Sequence, residues 1–100
     1  MERYCFVIEL NPGKEEQYDR VHREMFPEMR DALIAAGYTN YTIFRRGTTV
    51  CGYAECVPDV ESVRAYMEAH PVSQRWREAL AGVAKQRLER AEEVWRLEAP

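Results

Sequence analysis

The chain of 100 residues has no apolar run near the ~20 residues that a membrane-spanning helix needs. The stretch MERYCFVIELNPG carries Arg3 as its one basic residue and closes on a turn, so no export signal is expected. Basic residues do not dominate either. Fourteen Lys and Arg against 17 Asp and Glu leave a net charge of −3, which argues against a nucleic-acid binder. The three cysteines, Cys5, Cys51 and Cys56, cannot all pair within the chain, and there is no C-x-x-C. They read as reduced, mostly buried thiols of a cytoplasmic protein. No Cys/His pair has ligand spacing, so no metal is expected. With only five glycines, there is no phosphate loop or dinucleotide motif, and no Ser or Cys nucleophile motif is present. An enzyme built on this chain is expected to work without a cofactor, by acid–base chemistry.

What is present is an ordinary globular balance, 46% apolar and 31% charged, with room for a single domain over residues 1–100. Residues 3–10 predict a strand closed by Asn11-Pro12-Gly13, with Tyr4, Phe6, Ile8 and Leu10 on one face and Cys5 and Val7 on the other. Residues 14–36 carry a helical stripe, Tyr18, Val21, Met25, Met29 and Leu33, which Pro27 must kink or break near Phe26. Residues 38–46 and 49–57 read as a hairpin. Strict alternation puts Tyr41 and Ile43 on one face and Tyr38 and Phe44 on the other. A helix from Pro58 to about Ala69 comes next, then one from about Val72 to the late eighties, and a closing strand over 92–97. The order β-α-β-β-α(α)-β is the ferredoxin-like α+β pattern, an antiparallel four-stranded sheet with helices on one face. The strands are apolar on both sides and the helices cover only one. The second face therefore predicts a homodimer, with sheets packed face to face and a pocket between sheet and helices.

Within this frame the chemistry-bearing residues are few. Tyr18 and His22 lie four apart and project from one helical face. His22 is either an inert boundary residue or an acid–base group, since imidazole titrates near neutrality. Asn40 and Tyr41 offer hydroxyl contacts, or Asn40 caps its own backbone. In Gln74-Arg75-Trp76, the indole can stack on a sugar and Arg75 can bind hydroxyls, or both are ordinary core and surface groups. Trp95 reads as core or interface, and His70 as a solvent-facing loop residue. The adjacent pairs Glu15-Glu16 and Glu92-Glu93 do not converge and read as solvated.

Taken in order, these pieces resemble the L-rhamnose mutarotases almost end to end. The carrying residues are Asn11-Pro12, Tyr18-x-x-x-His22, Pro27-Glu28, Gly37-x-x-Asn40-Tyr41-x-Ile43, Gln74-Arg75-Trp76 and Glu93-Val94-Trp95-x-Leu97. The resemblance implies a cofactor-free sugar epimerase, a homodimer in the form of a dimeric α+β barrel. It interconverts the α and β anomers of L-rhamnose, or of a related 6-deoxy sugar, by acid/base-assisted ring opening at C1. It also implies that His22 is the catalytic acid, with Tyr18 and Trp76 in the sugar pocket. On the chemistry of the residues, His22 is expected to protonate the ring oxygen, and Asn40, Tyr41 and Arg75 are further candidates for hydroxyl contacts or pocket support. Two other readings fit the same fold. One is a cofactor-free monooxygenase of the dimeric α+β barrel type. The other is a non-catalytic dimeric metabolite-binding module, which predicts a His22 that is wholly buried or salt-bridged.

Overall fold

A computed structural model of the chain describes residues 1–99. Its elements are β1 (Glu2–Glu9), α1 (Glu15–Arg23), α2 (Pro27–Ala36), β2 (Tyr38–Arg46), β3 (Thr49–Cys56), α3 (Val60–Ala69), α4 (Val72–Ala79) and β4 (Glu89–Ala91). The strands form one sheet in the order β2-β3-β1-β4, with every neighbouring pair antiparallel. This is the ferredoxin-like α+β topology that the sequence pattern predicts, with each helical segment split in two.

Alternation along the central strands builds the core. Tyr4, Phe6 and Leu10 of the first strand segment join Val50, Ala54 and Cys56 beneath the helices. Helix α2 adds Met29, Ala32 and Ala36, and α3 adds Val60, Val63 and Met67. Two glycines make this packing possible. Gly52 pairs with Phe6, and a Cβ there would lie 2.0 Å from Phe6 Cζ, so the ring lies across β3 only because position 52 has no side chain. Gly37 ends α2 at φ 112°, and a Cβ there would lie 2.0 Å from the Val57 carbonyl oxygen. Helix α3 starts on two side-chain acceptors. Asp59 Oδ1 takes the Ser62 amide and Glu2 Oε1 takes the Val60 amide, each at 2.8 Å.

Several boundaries differ from the sequence expectation, each for a physical reason. The stripe over 14–36 is broken rather than kinked. Phe26 is extended at φ −66°, ψ 143°, as a residue before proline prefers, and Pro27 opens a new helix. Helix α4 stops at Ala79 instead of continuing to the late eighties. The chain there is drawn to the end of β1, where the Asn11 amide donates to Val83 O at 2.8 Å and its side chain donates to Gly82 O at 2.9 Å. The closing strand is Glu89–Ala91, not 92–97, pairing Val7, Phe6 and Cys5 with Glu89, Arg90 and Ala91. Charge contacts accompany this pairing. Arg90 pairs with Glu2 at 3.3 Å and lies over Tyr4, and Arg3 pairs with Glu93 beyond the strand.

Three smaller readings are also corrected or narrowed. Val94, Trp95 and Leu97 are 91%, 75% and 78% exposed, so of the two places expected for Trp95, core or interface, the core of the single chain is excluded. Only Cys56 is buried, whereas Cys5 is half-buried and Cys51 exposed, and all three are free thiols. His70 is half-buried, and its Nδ1 accepts the Val72 amide at 3.1 Å, so it caps α4 instead of facing solvent.

Candidate functional site

Helices α1 and α2, strand β2 and Trp76 of α4 line an open cavity of about 710 Å³. That is the size range of small-molecule sites. The i, i+4 spacing on α1 places Tyr18 and His22 side by side, with ring centroids 4.3 Å apart. Trp76 meets the imidazole edge-on, at 5.0 Å and 86° between planes, and Phe26 meets Trp76 in turn at 5.9 Å. Met25, Met29, Leu33, Ile34 and Ile43 supply an apolar wall.

His22 is half-buried, and its Nδ1 lies 2.8 Å from the backbone carbonyl oxygen of Tyr18. A carbonyl can only accept, so Nδ1 carries the proton and donates it. Nε2 is then the ring nitrogen left for a ligand. Desolvation lowers the His22 pKa below its ordinary value, and the hydrogen bond to Tyr18 only partly opposes it. At neutral pH the resting ring is therefore neutral, with a lone pair on Nε2. His22 is neither walled off nor held by a carboxylate.

A bulge in β2 shapes the opposite wall. Between the pairs Thr39–Glu55 and Thr42–Tyr53, β2 has one residue more than β3, and Asn40 takes a left-handed φ of 48°. The extra residue changes the alternation. Tyr38 and Tyr41 come to the same face, with ring centroids 5.1 Å apart, and both line the cavity with Ile43. The alternation expected from sequence had put Tyr38 with Phe44. Phe44 instead lies on the far face, 67% exposed.

Electrostatics leave few proton carriers here. Burial pushes the Tyr18 and Tyr38 phenols up to about 12, and that of Tyr41 is raised by the same cause. These hydroxyls stay protonated as donors. Asp19 is the cavity's one carboxylate among the described residues. Both its oxygens are held by Arg45, at 2.8 and 2.7 Å, which pushes its pKa down and makes it a weak base.

The structure thus brings together Tyr18, His22, Asn40, Tyr41 and Trp76 at one cavity. The Asn40 amide is engaged elsewhere, donating to Glu55 Oε1 at 2.6 Å. Arg75 does not line the cavity. Its guanidinium lies 4.3 Å from the Phe26 ring centre and 3.9 Å from a Glu28 oxygen, outside the aromatic wall. Sequence reasoning misses Tyr38 and the Asp19–Arg45 pair. An asparagine inside an otherwise aromatic and β-branched strand is the signal that could have revealed the bulge and so Tyr38. The ion pair joins distant segments and leaves no local signal.

Comparison with known proteins places these residues in context. The family model described as L-rhamnose mutarotase matches residues 3–98. The L-rhamnose mutarotase of Listeria monocytogenes serovar 1/2a is 32% identical over 85 residues, covering 85% of this chain and 82% of that protein. An L-rhamnose mutarotase crystal structure from Formosa agariphila superposes with a TM-score of 0.83 at 22% identity, covering 98% of this chain and 100% of that one. The tetracenomycin F2 cyclase of Streptomyces glaucescens shares the fold, with a TM-score of 0.71 at 18% identity and 98% coverage of both chains.

Proposed function

The chain belongs to the L-rhamnose mutarotase family, and from that premise we propose that its cavity binds L-rhamnose and that His22 moves the proton that opens the ring. The observation that carries this is the His22 ring itself, fixed through Nδ1 to Tyr18, which leaves Nε2 free, and set against the Trp76 indole in the wall of a cavity with ample room for a monosaccharide.

Anomer exchange requires the C1 hydroxyl to lose a proton, the bond from C1 to the ring oxygen to break, and the ring oxygen to gain a proton. Neutral Nε2 accepts the C1 hydroxyl proton as the C1 carbonyl forms. The ring oxygen takes its proton from a cavity phenol, Tyr41 or Tyr38, or from a water. Rotation about the C1–C2 bond exposes the other carbonyl face. Closure runs the same transfers backwards, and the imidazolium returns its proton to O1. This proposal differs from the role expected from sequence, and what supports it is the hydrogen bond that occupies Nδ1. His22 first accepts at the C1 hydroxyl instead of donating to the ring oxygen. Tyr18 holds the imidazole through its carbonyl and walls the pocket with its ring. Trp76 offers a flat face for the C–H side of the sugar. The apolar wall of Met25, Met29 and Leu33 suits the methyl group that distinguishes a 6-deoxy sugar.

Saturation-transfer NMR on equilibrated L-rhamnose tests the reading. Added protein is expected to speed exchange between the α and β C1 protons well beyond buffer, and L-rhamnose to quench the tryptophan fluorescence of a Trp95→Phe variant. No acceleration, together with quenching by flat aromatic compounds alone, would favour the monooxygenase-type pocket and defeat the proposal.

We also propose that the enzyme is a homodimer joined through the sheet face away from the helices and that, on its free thiols, it works in a reducing compartment such as the cytoplasm. Val7, Cys51 and Phe44 are exposed on that face, an apolar surface that a second copy would cover. Light scattering is expected to give twice the chain mass for the wild type and a lighter species for Phe44→Glu. A wild-type protein of single-chain mass at micromolar concentration would overturn the dimer. No helix among the described residues is long and apolar enough to cross a membrane.

A further inference from the structure

We propose that Glu55 is a positioning residue for the sugar site: from the far face of the sheet it holds Asn40 in the bulge that turns Tyr41 into the cavity. This rests on the mutarotase reading.

The strand register defines the bulge. Tyr38 pairs with Cys56 and Thr39 with Glu55, and pairing resumes at Thr42 with Tyr53, so Asn40 and Tyr41 together face Ala54 alone. Without the extra residue, Tyr41 and Tyr38 would fall on opposite faces of the sheet. With it, their rings lie 5.1 Å apart and Tyr41 meets Phe6 edge-on at 6.2 Å. The bulge therefore decides whether this phenol is in the cavity at all.

The backbone at Asn40 has a φ of 48°, a region that side-chain-bearing residues seldom occupy. Asparagine is among the residues that tolerate it, and here the tolerance is reinforced. Asn40 Nδ2 donates to Glu55 Oε1 at 2.6 Å, and the Tyr53 hydroxyl donates to Glu55 Oε2 at 2.9 Å. Both carboxylate oxygens are thus occupied, one by the bulge and one by the strand beside it. Those two hydrogen bonds push the Glu55 pKa below the usual carboxylate range, so the clamp is charge-assisted at neutral pH. The far side of the clamp is regular sheet. Ile43–Gly52, Phe44–Cys51 and Arg45–Val50 remain paired. Loss of Glu55 should therefore loosen the bulge and leave the hairpin standing.

A double-mutant cycle separates this role from a general structural one. Glu55→Ala is expected to raise KM for L-rhamnose about threefold to tenfold, with kcat lowered as well to the extent that Tyr41 supplies the ring-oxygen proton. Glu55→Gln keeps an acceptor for Asn40 and should restore most of the affinity. In a Tyr41→Ala background, Glu55→Ala should cost less than a further twofold, because there is no ring left to place. An equal loss in both backgrounds, or no loss in either, would overturn the proposal. A second readout does not need catalysis. The nuclear Overhauser effects between the Tyr38 and Tyr41 rings should weaken in Glu55→Ala, and their full persistence would also overturn it. If the wild type fails to speed anomer exchange while these ring contacts still depend on Glu55, the mutarotase reading fails and the clamp stands.

Discussion

Replacing His22 with alanine is expected to lower enzyme-catalysed anomer exchange by about 10²- to 10⁴-fold, the range that a positioned acid–base group supplies. The expectation comes from scarcity. Among the described cavity residues, the phenols are held protonated by burial and Asp19 is tied to Arg45. No other group there offers a free lone pair of suitable basicity. The substitution should leave the fold intact, because His22 sits half-buried in the last turn of α1 and contributes no core contact comparable to Tyr18. Circular dichroism should be unchanged, and sugar affinity by fluorescence should change only a few-fold. Added imidazole should recover part of the rate by entering the vacated space. A variant that keeps a tenth or more of the wild-type rate would show that Nε2 is not the proton acceptor.

Much of this architecture is legible in the sequence because it rests on local rules. The 2-residue alternation in Tyr4, Phe6 and Leu10 selects the buried face of β1 without reference to anything distant. The Tyr18–His22 spacing fixes their proximity once α1 is helical, and Pro27 announces its break. The parts that are not legible depend on contacts between remote segments. The last strand forms from Glu89–Ala91, a charged stretch that pairs with β1, where Arg90 meets Glu2 and Tyr4. No propensity would select it over EEVWRL. The far wall of the cavity is hidden for a related reason. A single left-handed residue, Asn40, reverses the facing of the strand residues after it, and its partner Glu55 lies 15 positions away. Arg75 shows the converse. It stands beside Trp76 in sequence, yet it stacks on Phe26 outside the cavity because neighbouring helical residues diverge.

The fold itself does not choose the reaction. A polyketide cyclase shares it closely, so the chemistry must come from the side chains that line the cavity. Two features of this cavity bear on that chemistry: an imidazole whose Nδ1 is engaged by the Tyr18 carbonyl, and an aromatic wall of Trp76 and Phe26 beside it. Burial lowers the His22 pKa, and the aromatic wall is one of the surfaces that bury it.

Trp76 supplies that wall, and Trp76→Ala is expected to lower kcat/KM by about 10- to 100-fold, through lost stacking and a less confined imidazole. Its more diagnostic effect is on pH. Burial lowers the His22 pKa, and the Trp76 indole, its ring centroid 5.0 Å from that of the imidazole, is expected to contribute to that burial. In the wild type, activity that needs neutral Nε2 should fall only below the ordinary histidine range of about 6.5. Removing the indole readmits water, stabilises the imidazolium and raises the pKa towards that range. The acid limb of the variant's profile should therefore move to higher pH, by an amount readable as a displaced half-maximum. Trp76→Phe retains an aromatic edge and should shift it less. If His22 acted first as an acid, activity would instead rise as pH falls through its pKa, so the direction of the limb decides between the two proton roles. A limb that keeps its position in Trp76→Ala would mean that the indole does not control the solvation of His22.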